Sequence, residues 1–195
     1  NEATIRILNR HGVEVVVPKK IRCCGSLSHH LGKHDDAHQD FINNINTWYD
    51  EYLRGNLDAI LSNTSGCGTT MKDYGFIFRD DKKMKKKAKK ISELTKDVSE
   101  YLSENLNLKF KKKEKKLRIA YHSACSMQHG QKVHSQPINL LEKTKNEILE
   151  IPEGHICCGS AGTYNILQSK IAKQLLKNKV KNIESLKPQI ISTGN

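Results

Sequence analysis

Long hydrophobic runs are absent from this sequence, and its longest apolar stretches, VEVVVP at 13–18 and DAIL at 58–61, are only strand-sized. Because a helix that crosses a bilayer needs about 20 apolar residues, no transmembrane helix is predicted. Residues 1–15 also lack the basic start and the apolar stretch of a secretory signal. The chain starts at Asn1 and stops after ISTGN, and we expect it to be a fragment of a longer protein.

Cysteine is scarce, since six residues in a chain of 195 are too few for a disulfide scaffold. Four of the six form two adjacent pairs, and adjacent cysteines rarely bridge each other. Without a secretory signal we expect reduced thiols in the cytoplasm. Thiols in that compartment serve metal binding or redox chemistry more often than cross-linking.

Aromatic residues are also few, at 6% of the chain, although the net charge is +12. Two lysine runs, KKMKKKAKK at 82–90 and KKKEKK at 111–116, carry much of that charge. They lack the aromatic and arginine residues that stack on bases and grip phosphates. The runs therefore favour solvated surfaces, and we predict no nucleic-acid partner. Steeply salt-dependent DNA binding would contradict this prediction.

Strand-like and helix-like segments alternate, which predicts an α/β fold with mainly parallel strands flanked by helices. Strands are predicted in five segments, at 13–18, 57–62, 117–125, 147–152 and 188–193. Amphipathic helices are predicted in three segments, along the stripe from Phe41 to Leu53, at 82–106 and at 165–185. The last of these carries its apolar stripe on Ile166, Leu167, Ile171, Leu175 and Val180.

The two halves of the chain repeat one pattern. VEVVVPKKIRCCGSL at 13–27 matches ILEIPEGHICCGSAG at 148–162, and LDAILSNTSGCG at 57–68 matches KPQIISTGN at 187–195. This duplication predicts a first CCG domain at 1–116 and a second at 117–195, the latter truncated at its C-terminal end. All six cysteines fall at the predicted carboxyl ends of strands, where function collects in such sheets.

The two CCG triplets, one at Cys23, Cys24 and Gly25 and the other at Cys157, Cys158 and Gly159, predict a metal centre. Thiolate sulfur suits iron–sulfur clusters and zinc. The side chains of two adjacent cysteines point in different directions. They can therefore bind different irons of a cluster more readily than they can bind one tetrahedral ion. The glycine lets the backbone approach closely, and free amides can donate to sulfur. A chance pair of buried cysteines is the alternative, and the repeat argues against it.

Histidines are a second set of candidate ligands. Four of them crowd behind the first triplet: His29, His30, His34 and His38. His122 precedes Cys125 by three residues. We expect these side chains to be polar neighbours or surface groups, with His30 and His122 the two that merit attention as ligands. The chain shows no catalytic triad, phosphate loop or carboxylate pair, so no catalytic residue is predicted.

Two copies of a C…CCG…CxxC pattern resemble the cysteine-rich iron–sulfur oxidoreductases of the heterodisulfide reductase type. Within that group, four segments are similar to the iron–sulfur subunits of bacterial glycolate oxidases. These segments are GVEVVVPKKIRCCGSLSHHLGKHDDA, NTSGCGTTMKDYG, YHSACSMQHGQKV and ICCGSAGTYNI. They occur in the family order and span nearly the whole chain.

The resemblance implies that all six cysteines bind the cofactor and its metal: Cys23, Cys24, Cys67, Cys125, Cys157 and Cys158. Thr64 stands where the first cysteine of CxxC is expected in the first half. The leading cysteine of the first motif is expected before Asn1 and the closing cysteine of the second just beyond Asn195, so each half of this chain offers three cysteines. The family pattern implies a cluster of the [4Fe-4S] type, with zinc as the alternative at one site. In the whole subunit, two ferredoxin-type motifs are expected to precede the paired CCG domains.

The same resemblance implies an oxidoreductase subunit that carries electrons. Flavoprotein subunits are the expected partners, and they would hold FAD, bind glycolate and oxidise it to glyoxylate. The expected location is the cytoplasm, with peripheral association at the cytoplasmic face of the inner membrane. Sister alternatives are an iron–sulfur subunit of a lactate- or glycerol-3-phosphate-oxidising complex, or a heterodisulfide-reductase-like protein. An alternative of another class is a zinc-stabilised assembly module.

Overall fold

The computed structural model describes residues 1–55, 57–110, 115–160 and 162–194. Helices and short parallel strands alternate along them, which confirms the predicted α/β fold. The chain separates into two compact units, Asn1–Tyr101 and Leu102–Asn195. The domain boundary predicted at residue 116 stays a prediction. In the part of the chain so described, no helix has the length and apolar composition needed to cross a membrane.

The first unit combines helices with a two-stranded parallel sheet. Its elements are α1 (Glu2–Arg10), α2 (Ser26–His30), α3 (His34–Leu53), β1 (Ile60–Ser62), α4 (Ser65–Ile77), α5 (Lys85–Leu94), β2 (Thr95–Asp97) and α6 (Val98–Asn105). The C-terminal half of α6 falls in the second unit. Strands β1 and β2 pair in parallel, from Ile60 opposite Thr95 to Ser62 opposite Asp97.

The core of the first unit gathers side chains from α3, α4 and α5. Its members are Ala37, Phe41, Ile45, Ile60, Met71, Tyr74, Phe78, Met84, Ala88 and Ile91. Phe41 and Ile45 are fully buried and Trp48 packs against them, which confirms most of the predicted stripe on α3. Leu53 at the end of the helix is 66% exposed, so the buried stripe stops before the last turn.

The strand predicted at 13–18 is wrong. The structure has no strand there, and Val16 and Val17 are 54% and 72% exposed. Valine favours strands because it packs well on a pleated surface, but that preference is realised only beside a neighbouring strand. Strands β1 and β2 pair with each other, and residues 13–18 have no such partner among the described residues.

The single helix predicted at 82–106 is also wrong, because β2 interrupts it between α5 and α6. Asp97 and Glu100 explain where α6 begins. The Ser99 N–H donates to the Asp97 carboxylate (2.8 Å), and the Asp97 N–H donates to the Glu100 carboxylate (3.0 Å). This reciprocal pair satisfies amides that a helix start leaves free. The sequence DVSE at 97–100 carries that signal.

The second unit is built on a three-stranded parallel sheet. Its elements are β3 (Arg118–His122), a π-helical turn (Ser126–Gly130), α7 (Ser135–Lys143), β4 (Glu147–Glu150), α8 (Tyr164–Leu167), α9 (Ser169–Ser185) and β5 (Ile190–Thr193). The strand order is β4-β3-β5, with Ile119 opposite both Ile148 and Ile190. These strands lie where three of the predicted strands were placed, and the central β3 is buried from Ile119 to Tyr121.

The helix predicted at 165–185 is divided at Gln168 into α8 and α9. Its predicted apolar stripe is not the buried side, since Ile166 and Leu167 are 75% and 73% exposed. The buried residues of α9 are Ala172 and Lys179. Both face the segment around the second CCG triplet, so close approach to that segment decides which side of α9 is covered.

Candidate metal centre

The first triplet lies in a turn that enters α2. Gly25 precedes the helix with φ +74°, a left-handed conformation that glycine adopts without strain. Cys23 is exposed, whereas Cys24 is half-buried against the core of the first unit. Cys67 lies in the first turn of α4 and packs against the same core. Two segments far apart in sequence thus deliver three thiols, the first trio (Cys23, Cys24 and Cys67).

Asn44 of α3 holds the backbone that carries the first triplet. Its side-chain oxygen accepts from the Arg22 N–H (2.8 Å), and its amide group donates to the Cys23 carbonyl (2.8 Å) and the Arg22 carbonyl (3.3 Å). The Asn44 side chain is fully buried. Since buried backbone groups need partners, this amide stabilises the extended approach to the triplet.

Helix α4 supplies both a thiol and further contacts to the triplet. Cys67, Thr70 and Tyr74 are spaced three and four residues apart, which places them on one helix face. The Tyr74 hydroxyl donates to the Cys24 carbonyl (2.9 Å), and the Thr70 hydroxyl donates to that of Ser26 (2.9 Å). Burial raises the pKa of Tyr74, so its hydroxyl stays a donor at neutral pH.

Two thiols of the first trio, Cys24 and Cys67, have pKa values shifted in opposite directions. The Cys24 thiol hydrogen-bonds to Cys67, and this contact, together with burial, raises the pKa of Cys24. The same hydrogen bond lowers the pKa of Cys67 to about 7. A position in the first turn of a helix also favours a thiolate. Cys67 is therefore the trio's natural thiolate, with Cys24 as its proton donor.

This pairing predicts a pH profile for thiol alkylation in the reduced, metal-free chain. Cys67 should reach half its maximal rate with iodoacetamide near pH 7, because its pKa is about 7 and only the thiolate reacts. Cys24→Ala removes the donor and should move this midpoint up toward the 9.0 of an ordinary thiol. Mass spectrometry of the labelled peptide across pH measures both values.

The matched control is Cys24→Ser, which keeps a hydrogen-bond donor and should leave the Cys67 midpoint near its starting value. Cys125 is an internal reference, because burial raises its pKa and it should react late. An unchanged Cys67 profile in Cys24→Ala would show that this hydrogen bond does not set its reactivity.

The second trio (Cys125, Cys157 and Cys158) joins the carboxyl end of β3 to the second triplet. Cys125 precedes the π-helical turn, and Cys157 and Cys158 follow β4 in a loop. Burial raises the pKa of Cys125, and so do the neighbouring Cys157, through charge and a hydrogen bond, and Cys158. The Gly159 N–H donates to the Cys157 sulfur (3.3 Å). An amide donor therefore already faces one sulfur.

Helix α9 holds the second triplet much as α3 holds the first. The buried Lys179 ammonium donates to the carbonyls of Glu153 (3.0 Å) and Gly154 (3.2 Å). Asn182 donates to the carbonyl of Pro152 (3.0 Å). In both units a polar side chain of a helix that follows the triplet reaches back to the backbone before it. The two halves therefore share this supporting hydrogen bond in addition to the sequence pattern.

The structure brings the six predicted cysteines together as two trios and leaves the other candidates apart. Thr64 is exposed at the start of α4, and His30 is exposed on α2. His122 is half-buried, its Nδ1 lies 3.3 Å from the Thr193 hydroxyl, and burial and the charge of Lys179 lower its pKa. Across 1–55, 57–110, 115–160 and 162–194, no three His, Cys, Asp or Glu side chains are arranged to hold one metal ion.

Sequence reasoning missed three supporting residues. Asn44 interrupts the apolar stripe between Phe41 and Ile45, and a polar residue there is a signal of a buried hydrogen bond. Tyr74 lies seven residues after Cys67 on the same helix face. Lys179 carried no signal, because one lysine among many on α9 is typical of a solvated side.

The donor set suits an iron–sulfur cluster. Each trio offers three soft thiols, and in the first trio Cys67 favours the thiolate that a metal needs. Amide N–H groups face sulfur in both trios, from Ser26 to Cys24 and from Gly159 to Cys157. Such donors stabilise anionic sulfur and tune cluster potentials. The donor chemistry of the residues present therefore fits such a group, which offers several metal ions to the thiols rather than one.

Comparison with known proteins agrees with this geometry. The chain is 36% identical to the glycolate oxidase iron-sulfur subunit of Escherichia coli (strain K12), over 100% of the chain and 47% of that protein. It is 28% identical to the probable glycolate oxidase iron-sulfur subunit of Bacillus subtilis (strain 168), over 100% of the chain and 44% of that protein. The chain thus spans about half the length of these two relatives.

A third relative is lactate utilization protein A of Bacillus subtilis (strain 168), which is 27% identical over 97% of the chain and 78% of that protein. The family of the cysteine-rich domain, CCG, matches residues 1–72 and 119–195, which contain both trios. The chain therefore belongs to the CCG cysteine-rich domain family and carries two matching segments of it.

Proposed function

We propose that the chain is the paired-CCG part of an iron–sulfur electron-transfer subunit in a flavin-dependent complex that oxidises glycolate to glyoxylate. The observation that carries this proposal is the twofold assembly of three thiols from distant segments, each beside a CCG turn. The similarity to two glycolate oxidase iron-sulfur subunits supports the substrate. These relatives therefore support assigning the chain to a subunit of an oxidoreductase complex.

In this proposal the two trios hold the cofactor: Cys23, Cys24 and Cys67 in the first unit, and Cys125, Cys157 and Cys158 in the second. An iron–sulfur cluster of the [4Fe-4S] type, when bound there, takes up and releases single electrons. The protein's part is to present thiolates, aim amide N–H groups at sulfur and keep the triplet backbone rigid through Asn44 and Lys179. Zinc at one trio remains the alternative cofactor.

Substrate chemistry is assigned to the partners. FAD and glycolate would be bound by flavoprotein subunits of the complex, and electrons would pass from them to this chain. No general base or nucleophile is needed here for that task, which agrees with the absence of a predicted catalytic residue. We place the complex in the cytoplasm, associated peripherally with the cytoplasmic face of the inner membrane.

A lactate-oxidising complex is the second candidate. It is favoured by lactate utilization protein A, since the chain matches 78% of that protein's length. The two candidates are separated by adding glycolate, lactate or glycerol 3-phosphate to the isolated complex under argon. The substrate that bleaches the iron–sulfur absorption is the one that the complex oxidises.

The proposal predicts the iron content of the intact parent protein. Expressed anaerobically, Cys157→Ser should lose roughly four iron and four acid-labile sulfide per chain, the content of one [4Fe-4S] cluster. Ser160→Ala changes an exposed neighbour in the same loop and should lose none. Cys24→Ser tests the first trio in the same way. Iron, sulfide and EPR of the reduced and oxidised protein give the readout.

Zinc without sulfide, lost in the same cysteine variants, would replace electron transfer with the zinc-stabilised assembly module. Iron that is unchanged in both cysteine variants would contradict the proposed ligands. A cluster lost in only one of the variants would assign the cofactor to that unit alone.

A further inference from the structure

A second polar site lies in the first unit, in a cavity of about 370 Å³ between α2, α3 and α4. Its polar walls are formed by His29, His30, His38, Thr70, Asp73 and Arg79. Phe76 and Ile77 form an apolar side. A cavity with one apolar wall and a few converging polar groups is typical of a site for a small ligand.

Aromatic packing holds two of the imidazoles in place. The His29 ring lies 5.6 Å from the buried Phe41 ring in an edge-on arrangement, and 5.6 Å from His30. The His38 ring lies 5.2 Å from Phe78. His34, just outside the cavity, lies 5.8 Å from His29. These rings are positioned by packing on the core.

The Nδ1 atom of His29 is buried and has no hydrogen-bond partner among the described residues. A buried polar atom of this kind destabilises the fold unless water or a ligand satisfies it. His29 also lines the cavity, so a ligand there that turns the ring would give this covered nitrogen a partner.

The hydrogen-bond donors around the cavity favour an anion. Arg79 lies with its guanidinium 4.0 Å from the Phe76 ring centroid, with Nη1 donating to the Phe76 carbonyl (2.8 Å) and Nε 3.5 Å from Asp80. A guanidinium has five N–H donors, so Arg79 retains donors for a ligand at the cavity wall. Asp73 brings a carboxylate to the cavity, where it meets the donors of Arg79 and of three imidazoles, each of which carries at least one N–H.

Burial and crowding make the His29 imidazole resist protonation. Burial lowers the pKa of His29, and repulsion from His30, His34 and His38 lowers it further, while Asp73 acts in the opposite sense. His38, which lies on α3, also interacts electrostatically with Asp81. An anion among these rings would offset their repulsion, so protonation and anion binding would favour each other.

We propose that this cavity binds a small oxyanion, either a carboxylate or a phosphate group, through His29, His30 and Arg79. Imidazolium and guanidinium groups give charge-assisted hydrogen bonds to both kinds of anion. The site is distinct from the cysteine trios, and the inference does not depend on the proposed electron-transfer function.

Calorimetric titration of the intact protein tests the inference, with acetate, glycolate and inorganic phosphate at constant ionic strength. His29→Phe keeps the ring that packs on Phe41 and removes both nitrogens, and Arg79→Gln removes the guanidinium. Each change should weaken binding roughly tenfold to a hundredfold, the usual worth of a charge-assisted hydrogen bond. Wild-type binding should tighten as the pH falls from 8 to below 6.5, because a bound anion favours protonation of His29, whose pKa is lowered from its ordinary 6.5.

Matched controls are His11→Gln and Arg54→Gln, since both side chains are exposed and remote from the cavity walls. If His29→Phe fails to fold, the exposed His30→Gln replaces it. Binding of only carboxylates or only phosphate would identify the source of the oxyanion and support the site. Absent binding, or binding that the cavity variants and the controls change equally, would overturn it.

Discussion

Replacing Gly159 with alanine is expected to destabilise the second unit by about 2 to 5 kcal/mol, the sum of a left-handed strain and an overpacking cost. Gly159 has φ +86°, which L residues rarely adopt. An added Cβ would overlap the Ala172 carbonyl oxygen and lie 3.2 Å from the Ala172 Cα. These atoms belong to the backbone of α9, so they yield only if the helix moves.

The matched control is Gly162→Ala in the same unit. Gly162 has φ +48°, but no described atom lies within 4 Å of its added Cβ, so only the strain of about 1 to 2 kcal/mol applies. Urea unfolding followed by circular dichroism, with amide exchange in α9 and β3 to report on the second unit, measures both. Equal losses in the two variants would show that close packing on Ala172 is unimportant.

The first triplet offers the same comparison. A Cβ on Gly25, where φ is +74°, would lie 2.5 Å from the buried Phe41 ring, whereas at Gly32, with φ +77°, it would meet no described atom within 4 Å. Gly25→Ala should therefore cost more than Gly32→Ala. In both units the glycine of CCG allows a following helix to pack directly on the triplet, in addition to any approach to a cofactor.

Replacing Asn44 with leucine is expected to destabilise the first unit by about 2 to 4 kcal/mol, because buried backbone groups lose their partners. The Arg22 N–H and the Cys23 carbonyl both bond to this fully buried side chain. Leucine has a similar size, so the loss would report on hydrogen bonding rather than on a cavity. The single tryptophan, Trp48, packs against the core of this unit, and its fluorescence during urea unfolding gives the measurement.

Asn46→Ala is the control for Asn44, because Asn46 on the same helix is only half-buried and its amide oxygen accepts from Lys87 (2.8 Å). That variant should stay within about 0.5 kcal/mol of the parent. If Asn44→Leu were equally stable, the segment before the triplet would have to find other partners, and Asn44 would not be its support.

Local patterns in the sequence were sufficient to predict the repeat, the α/β class and most strands, while the role of the six cysteines as ligands stays a prediction. Apolar alternation and strand–turn–helix spacing are carried by neighbouring residues, so they survive without knowledge of the fold. The same reasoning failed where a distant segment decides the outcome. Residues 13–18 have the composition of a strand but no partner among the described residues, and 82–106 has the periodicity of one helix but contains β2.

Tertiary contacts decided the supporting and polar features of the two units. Asn44 reaches residues more than twenty positions away, and Lys179 reaches Glu153 across a similar separation. Segments packed side by side within the described residues also cause the opposite pKa shifts of Cys24 and Cys67. The same holds for the His29 nitrogen that lacks a hydrogen-bond partner among those residues. A hydrogen bond or a shifted pKa depends on distances of a few ångströms between such segments, and only the packed chain sets those distances.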